Sequence, residues 1–195
     1  MRSLIALAVL ALLAPVANPD TASCRVSTRP TDWSEVRMMR PLTDPTPITT
    51  LTVDVCVYFE QTVGFEQVNE LNPFGAQWYV LNMGIVVDAS FDPNFAPGFE
   101  VAPSTVVMLN DVLGSVGAYD GVIDFSGTGG QSIFQSNQVL VAAKLAVTDD
   151  SYFRQPWPMY VRTRTLMFTQ GSNAGAAVFS STANAGLGIV IEYVP

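Results

Sequence analysis

The stretch Gln77–Phe91, QWYVLNMGIVVDASF, decides the fold class. Tyr79, Leu81, Met83, Ile85, Val87, Ala89 and Phe91 recur at every second position, with Asn82, Asp88 and Ser90 between them. Side chains of a strand alternate between its two faces, so a period of two predicts a long strand with one buried face. The same pattern stands upstream in ITTLTVDVCVYF, where Leu51, Val53, Val55, Val57 and Phe59 share a face and Cys56 lies on the other. Downstream it recurs over Met159–Thr169, which places Tyr160, Arg162 and Arg164 on one side. In the final stretch, 186–194, Leu187, Ile189, Ile191 and Tyr193 point one way. Weaker strands are expected over 61–70, 101–109 and 176–181. QVLVAAKLAV, within 133–148, is open to strand or helix and is assigned to strand on the face shared by Val139, Val141, Ala143, Leu145 and Val147.

Between these runs lie turn-forming residues. DPNFAPG (92–98) is a turn by composition. AYDGVIDFSGTGG (118–130) reads as a short apolar strand, Val122, Ile123 and Phe125, bracketed by glycine turns. Its SGTGG does not precede a helix, so it is a turn and not a phosphate cradle. The 14 Gly and 13 Pro are spread along all 195 residues. Eight or nine short strands at regular spacing predict an all-β antiparallel sandwich, of Greek-key or jelly-roll type, over 48–195.

The chain opens MRSLIALAVLALLAPVANPDTAS: one Arg, then an apolar run too short to span a bilayer. That pattern predicts a secretory signal peptide over 1–23, and hence a secreted or cell-surface protein with no transmembrane segment in the mature chain. Residues 24–47 carry Pro30, Pro41, Pro45 and Pro47 with Arg25, Arg29, Arg37 and Arg40, an extended N-terminal arm with a short helical turn expected around Trp33–Met39. In an exported chain two cysteines are expected to pair. A Cys24–Cys56 bridge would close a loop of about 33 residues and contribute roughly 3–4 kcal/mol.

Net charge is −8, and from Pro41 to Ala143 there is no Lys or Arg against eleven Asp and Glu. An acidic body disfavours nucleic acid and anionic lipid as partners. The basic arm could dock on that body or stay solvated. The absence of His removes Ser-His-Asp and Cys-His catalysis and His-ligated zinc. Asp120 and Asp124, four apart, could work as a glycosidase pair, or with other acids hold Ca²⁺, or simply cap turns. Phe153, Trp157 and Tyr160 could stack on sugars, or be ordinary core and rim aromatics. No cofactor is required by any motif.

Three stretches resemble the choice-of-anchor E domain, a bacterial exported family: NPFGAQWYVLNMGIVVDASF (72–91); Tyr119, Asp120, Gly121, Ile123, Asp124 and Phe125; and GSNAGAAVFSSTANAGLGIVIEYVP (171–195). The chain departs from that family around Tyr152–Trp157 and carries no C-terminal sorting segment before Pro195. The resemblance implies an extracellular or surface β domain without catalytic residues. A non-enzymatic surface or matrix protein is therefore expected, with surface proteins or glycans as partners and self-association open to it. The alternatives are a pilin-like subunit assembling by strand donation and, further off, a carbohydrate-binding module or glycosidase.

Overall fold

A computed structural model describes residues 21–71, 73–172 and 176–193. Residues 1–20, most of the stretch 1–23 expected to be a signal peptide, lie outside them. Nine strands follow in chain order: β1 (Thr21–Pro30), β2 (Ser34–Met39), β3 (Thr50–Gln67), β4 (Ala76–Ser90), β5 (Thr105–Met108), β6 (Val112–Val116), β7 (Gly130–Ala146), β8 (Trp157–Ser172) and β9 (Ala177–Tyr193). They form an antiparallel sandwich. One sheet has the order β1-β9-β3-β7; the other runs β2-β8-β4-β5, with β6 also on β4.

β3 shows why the alternation succeeds. Leu51, Val53, Val55, Val57 and Phe59 are all buried, and the same parity continues through Val63 and Phe65. Residues 61–67 are thus the second half of one 18-residue strand, not a separate one. β9 is likewise one strand of 17 residues where two were expected. Its Leu187, Ile189 and Ile191 face β3 neighbours Val57, Val55 and Val53 across the ladder, all buried. The 133–148 stretch is strand β7, paired with β3 along its whole length.

β4 departs from strict alternation. The register with β8 shifts between Leu81 and Gly84. Asn82 sits there at φ 55, its N–H bonded to Asp111 Oδ1 at 2.9 Å. This extra residue is a β-bulge, and it exchanges the two faces. Before it Trp78 and Val80 are buried; after it Met83, Ile85 and Val87 are. Tyr79 and Leu81, expected on the core face, therefore lie on the outer one. Trp78 stacks on Phe65 at 5.6 Å between centroids, where the bulge has aimed it inward.

The N-terminal stretch is extended as expected, and both ends are docked. β1 pairs with β9 and β2 with β8, so it supplies one edge strand to each sheet. The helical turn expected around Trp33–Met39 is strand β2. Residues 21–23, assigned from sequence to the signal peptide, are the first positions of β1, and Ala22 is buried in the core. Two of the arm's four cations, Arg29 and Arg37, are met by the arm itself. Glu35 pairs with both Arg29 and Arg37, and Arg29 lies 4.5 Å over the Trp33 ring.

One end of the sandwich is closed by aromatics. Phe91, Tyr152, Phe153 and Trp157 meet at centroid distances of 5.3–6.0 Å. Tyr152 and Phe153 arrive on a 3-10 turn, Asp150–Arg154, capped by Asp149. Arg154 fixes that turn to the incoming chain through Asp150 and the Asp44 and Thr46 carbonyls.

Candidate functional site

β8 and β4 lie side by side with Arg162 opposite Asp88 and Arg164 opposite Val86. The inward positions Trp157, Met159, Val161 and Thr163 are buried, so Tyr160, Arg162 and Arg164 project from the outer face, as their spacing predicts. Asp88 accepts from Arg162 Nε at 2.8 Å and from Arg164 Nη2 at 3.1 Å through one oxygen. Its other oxygen accepts from Ser104 Oγ at 2.6 Å. Burial alone would raise the Asp88 carboxyl, but the Ser104 hydroxyl and the two guanidinium groups outweigh it and hold the acid below its ordinary value.

The loop after β4 builds the wall. Asp92 Oδ2 accepts from the N–H groups of Asn94 and Ala96, and Glu100 Oε2 accepts from Gly98 N. Ser90 Oγ donates to the Phe99 carbonyl and accepts from Asp92 N. This folding forces Phe95 to φ 55, a region that bulky residues rarely occupy. The strained residue lays its ring 4.1 Å from the Arg162 guanidinium carbon. Strain of this kind persists where the surroundings impose it, and such positions cluster at binding sites. Around them lies a recess of about 190 Å³, lined by Asp88, Ser90, Phe95, Glu100, Ser104, Arg162 and Arg164 among others. Arg162 uses Nε on Asp88, which leaves its two terminal nitrogens without a hydrogen-bond partner among the described residues. Arg164, with its side chain 56% exposed, stands at the mouth.

The other sequence candidates are placed differently. Phe153 and Trp157 are 5% and 1% exposed in the aromatic plug, so neither can stack on a sugar. Tyr160 alone of that trio is on the outer face, opposite Ser90 and beside Val36 of β2. Residues 118–129 form no strand; Val122 and Ile123 are exposed, and Phe125 turns at φ 58. Asp120 and Asp124 therefore share no strand face. Asp120 accepts from Val122 N and Thr128 N, and Asp124 from the N–H and hydroxyl of Ser126. Both act as turn caps. No group of three or more acidic or cysteine side chains gathers to hold a metal among the described residues.

The cysteines are not bonded. Cys24 opposes Ile189 and Cys56 opposes Gly188, so β9 runs between them. Two strand spacings are roughly 9.6 Å, beyond the ~7 Å that a disulfide spans between Cα atoms. Neighbouring positions of β9 also face opposite ways, which puts the two thiols on opposite faces of the sheet. The expected bridge fails on both counts.

No family model and no curated protein matches the chain. Among solved structures it aligns with the infectious bursal disease virus Gx strain at TM-score 0.24 and 16% identity, over 88% of this chain and 32% of that one. The T13 viral particle of the same virus gives TM-score 0.17 and 14% identity, over 90% and 36%. The chain thus spans about a third of the length of these viral chains. No helix among the described residues is long and apolar enough to cross a membrane.

Proposed function

We propose that this is a non-enzymatic, exported surface or matrix domain that works by binding, and that its recess receives an anionic group. The observation that carries the reading is the Arg162–Asp88–Arg164 arrangement. Asp88 holds two guanidinium groups in place on rigid strands while the terminal nitrogens of Arg162 stay open to a ligand. Arginine presents its donors in a fixed fork suited to planar anions. The signal-like N-terminus and the choice-of-anchor resemblance support the location, and the absence of His removes Ser-His-Asp and Cys-His hydrolysis.

The test is a titration of the full chain with sodium acetate at constant ionic strength, following the Arg162 and Arg164 Nε–H resonances. Saturable shifts confined to these two signals are expected. Shifts spread over all arginines, or none, would refute the anion site. Protease treatment of intact cells should remove the protein if it is displayed outside.

A second reading, a self-assembling subunit, is favoured by one feature. β7 is an edge strand of 17 residues and pairs only with β3 among the described residues. Gln135 and Asn137 are clamped to Asn110 and Met108, which covers the first half. The remainder, QVLVAAKLA (138–146), has neither Pro nor Gly and a single Lys. Such an edge invites another strand. Oligomers in native mass spectra that Leu140→Lys disperses would favour this reading; monomers throughout would remove it.

A further inference from the structure

We infer that the recess takes one hexuronate residue of an acidic polysaccharide. This rests on the anion reading above and narrows it to a ligand class.

The first ground is charge. Arg162 and Arg164 are offset in the same recess by Asp88 and Glu100, on a chain of net charge −8. A dianion such as a phosphate monoester would bring two negative charges into this balanced recess, where a carboxylate brings one. The second ground is the direction of the donors. The uncommitted donors lie on the β8 side only, since the Ser90 and Ser104 hydroxyl protons already go to the Phe99 carbonyl and to Asp88, whereas Glu100 presents an acceptor oxygen. A planar carboxylate can rest both oxygens on the Arg162 terminal edge and Arg164. The third oxygen of a sulfate or phosphate would turn toward carboxylates and meet no donor.

The third ground is what surrounds the cations. Glu100 uses Oε2 on Gly98, and its Oε1 is open to receive a hydroxyl proton. The Ser90 and Ser104 hydroxyls stand in the same lining. A ligand that matches these groups carries hydroxyls beside its carboxylate. Phe95, partly buried against Arg162, gives its other ring face as an apolar surface for the C–H face of a sugar ring, and its strained backbone fixes it there. The volume, about 190 Å³, accommodates a single six-membered ring. The outer face continues with Tyr160, opposite Ser90, where a flanking sugar residue of a chain would lie.

The test uses the full chain and trimers of galacturonate, glucuronate and mannuronate. Galactotriose, galactose 6-sulfate and acetate are the comparators, and calorimetry gives the affinities. At least one uronate trimer should bind tenfold or more tighter than acetate and than galactotriose. Phe95→Ala should weaken that trimer by a factor at least threefold larger than the factor by which it weakens acetate, with the thermal melt confirming that the variant folds. Arg164→Gln should weaken both. If no uronate trimer exceeds acetate while acetate still binds at Arg162 and Arg164, the sugar inference falls and the anion site stands. If the sulfated sugar binds as tightly as the best uronate, the ligand class is wrong. If no probe binds, both readings fall together.

Discussion

Glu66 is wholly buried near the end of β3, yet only one of its oxygens is bonded. Oε2 accepts from Phe125 N at 2.8 Å, and Oε1 has no partner. Burial pushes this carboxyl up; the Phe125 N–H opposes it, and Asp120 and Asp124 add to it. A raised native value means that the native state binds the proton more tightly than the unfolded chain does. The Glu66 contribution to stability is then fully present below the unfolded value of about 4.3 and is lost as pH rises through the native one. Glu66→Gln keeps an acceptor for Phe125 and removes the buried charge. It should raise stability at pH 7 by on the order of 1 kcal/mol, a Tm gain of about 2–4 °C, and flatten the melt-versus-pH curve on that side. An unchanged Tm at pH 7 would mean that the loop opens and hydrates the carboxylate. Asp88 carries the opposite sign. Its value is held down by Ser104 and the two arginines, against the effect of burial, so its contribution is present above about 3.9 and is lost as pH falls through the lower native value. Asp88→Asn should therefore reduce stability at pH 7 by about 1–3 kcal/mol and reduce the acid-side slope of the melting curve.

At the level of strands, the sequence is legible where pairing is regular and silent where a partner sets the register. The parity of Leu51 to Phe59 could be read directly, as could the outward direction of Tyr160, Arg162 and Arg164. The bulge at Asn82 could not, because it answers to Asp111 and Met108 on neighbouring segments: Asp111 holds its N–H, and a Cβ at Gly84 would meet the Met108 sulfur at 2.6 Å. Phe95 carried no signal at all, since its position over Arg162 comes from the capping of the loop by Asp92. The VIDF motif failed as a strand because no neighbour offers it a ladder. The cysteines failed for a related reason. Their spacing suits a bridge, but Gly188 and Ile189 of β9, more than 130 residues beyond Cys56, enter between them. Oxidised protein unfolded in guanidinium should therefore titrate two thiols, and a reductant should leave the Tm unchanged. In the folded state both should resist alkylation near pH 8. Burial pushes the Cys24 thiol up to about 11, against the Arg37 charge, and burial also raises Cys56. Rapid labelling of the folded protein, or no thiols after unfolding, would show a different arrangement of β1.

At the scale of the whole molecule, the last strand of the chain holds the first sheet together. β9 lies between β1 and β3, pairing Glu192 with Thr21 on one side and with Thr52 on the other. Without it β1 has no ladder, and β3 loses one of its two. The buried row Leu187, Ile189 and Ile191 would leave the core together with the Ala22 and Val26 contacts it orders. Burying one such side chain contributes roughly 1.5–3 kcal/mol, and a domain retains only about 5–15 kcal/mol in total. A chain ending after Ala185 should thus lose more stability than the domain possesses. The expected result is loss of the near-ultraviolet circular dichroism of the packed tryptophans and aggregation through the bare β3 edge. Adding residues 186–195 as a separate peptide should restore the near-ultraviolet signal, because the ladder needs no covalent link to close. A truncated chain that kept a cooperative melt would show that β2, β4, β5, β6 and β8 fold around β3 alone. The same topology sets the speed of folding. In the sheet β1-β9-β3-β7 every pairing except the β3–β7 ladder waits for the final 17-residue strand, so refolding should fall in the millisecond-to-second range or slower, as for other sandwiches dominated by non-local pairs.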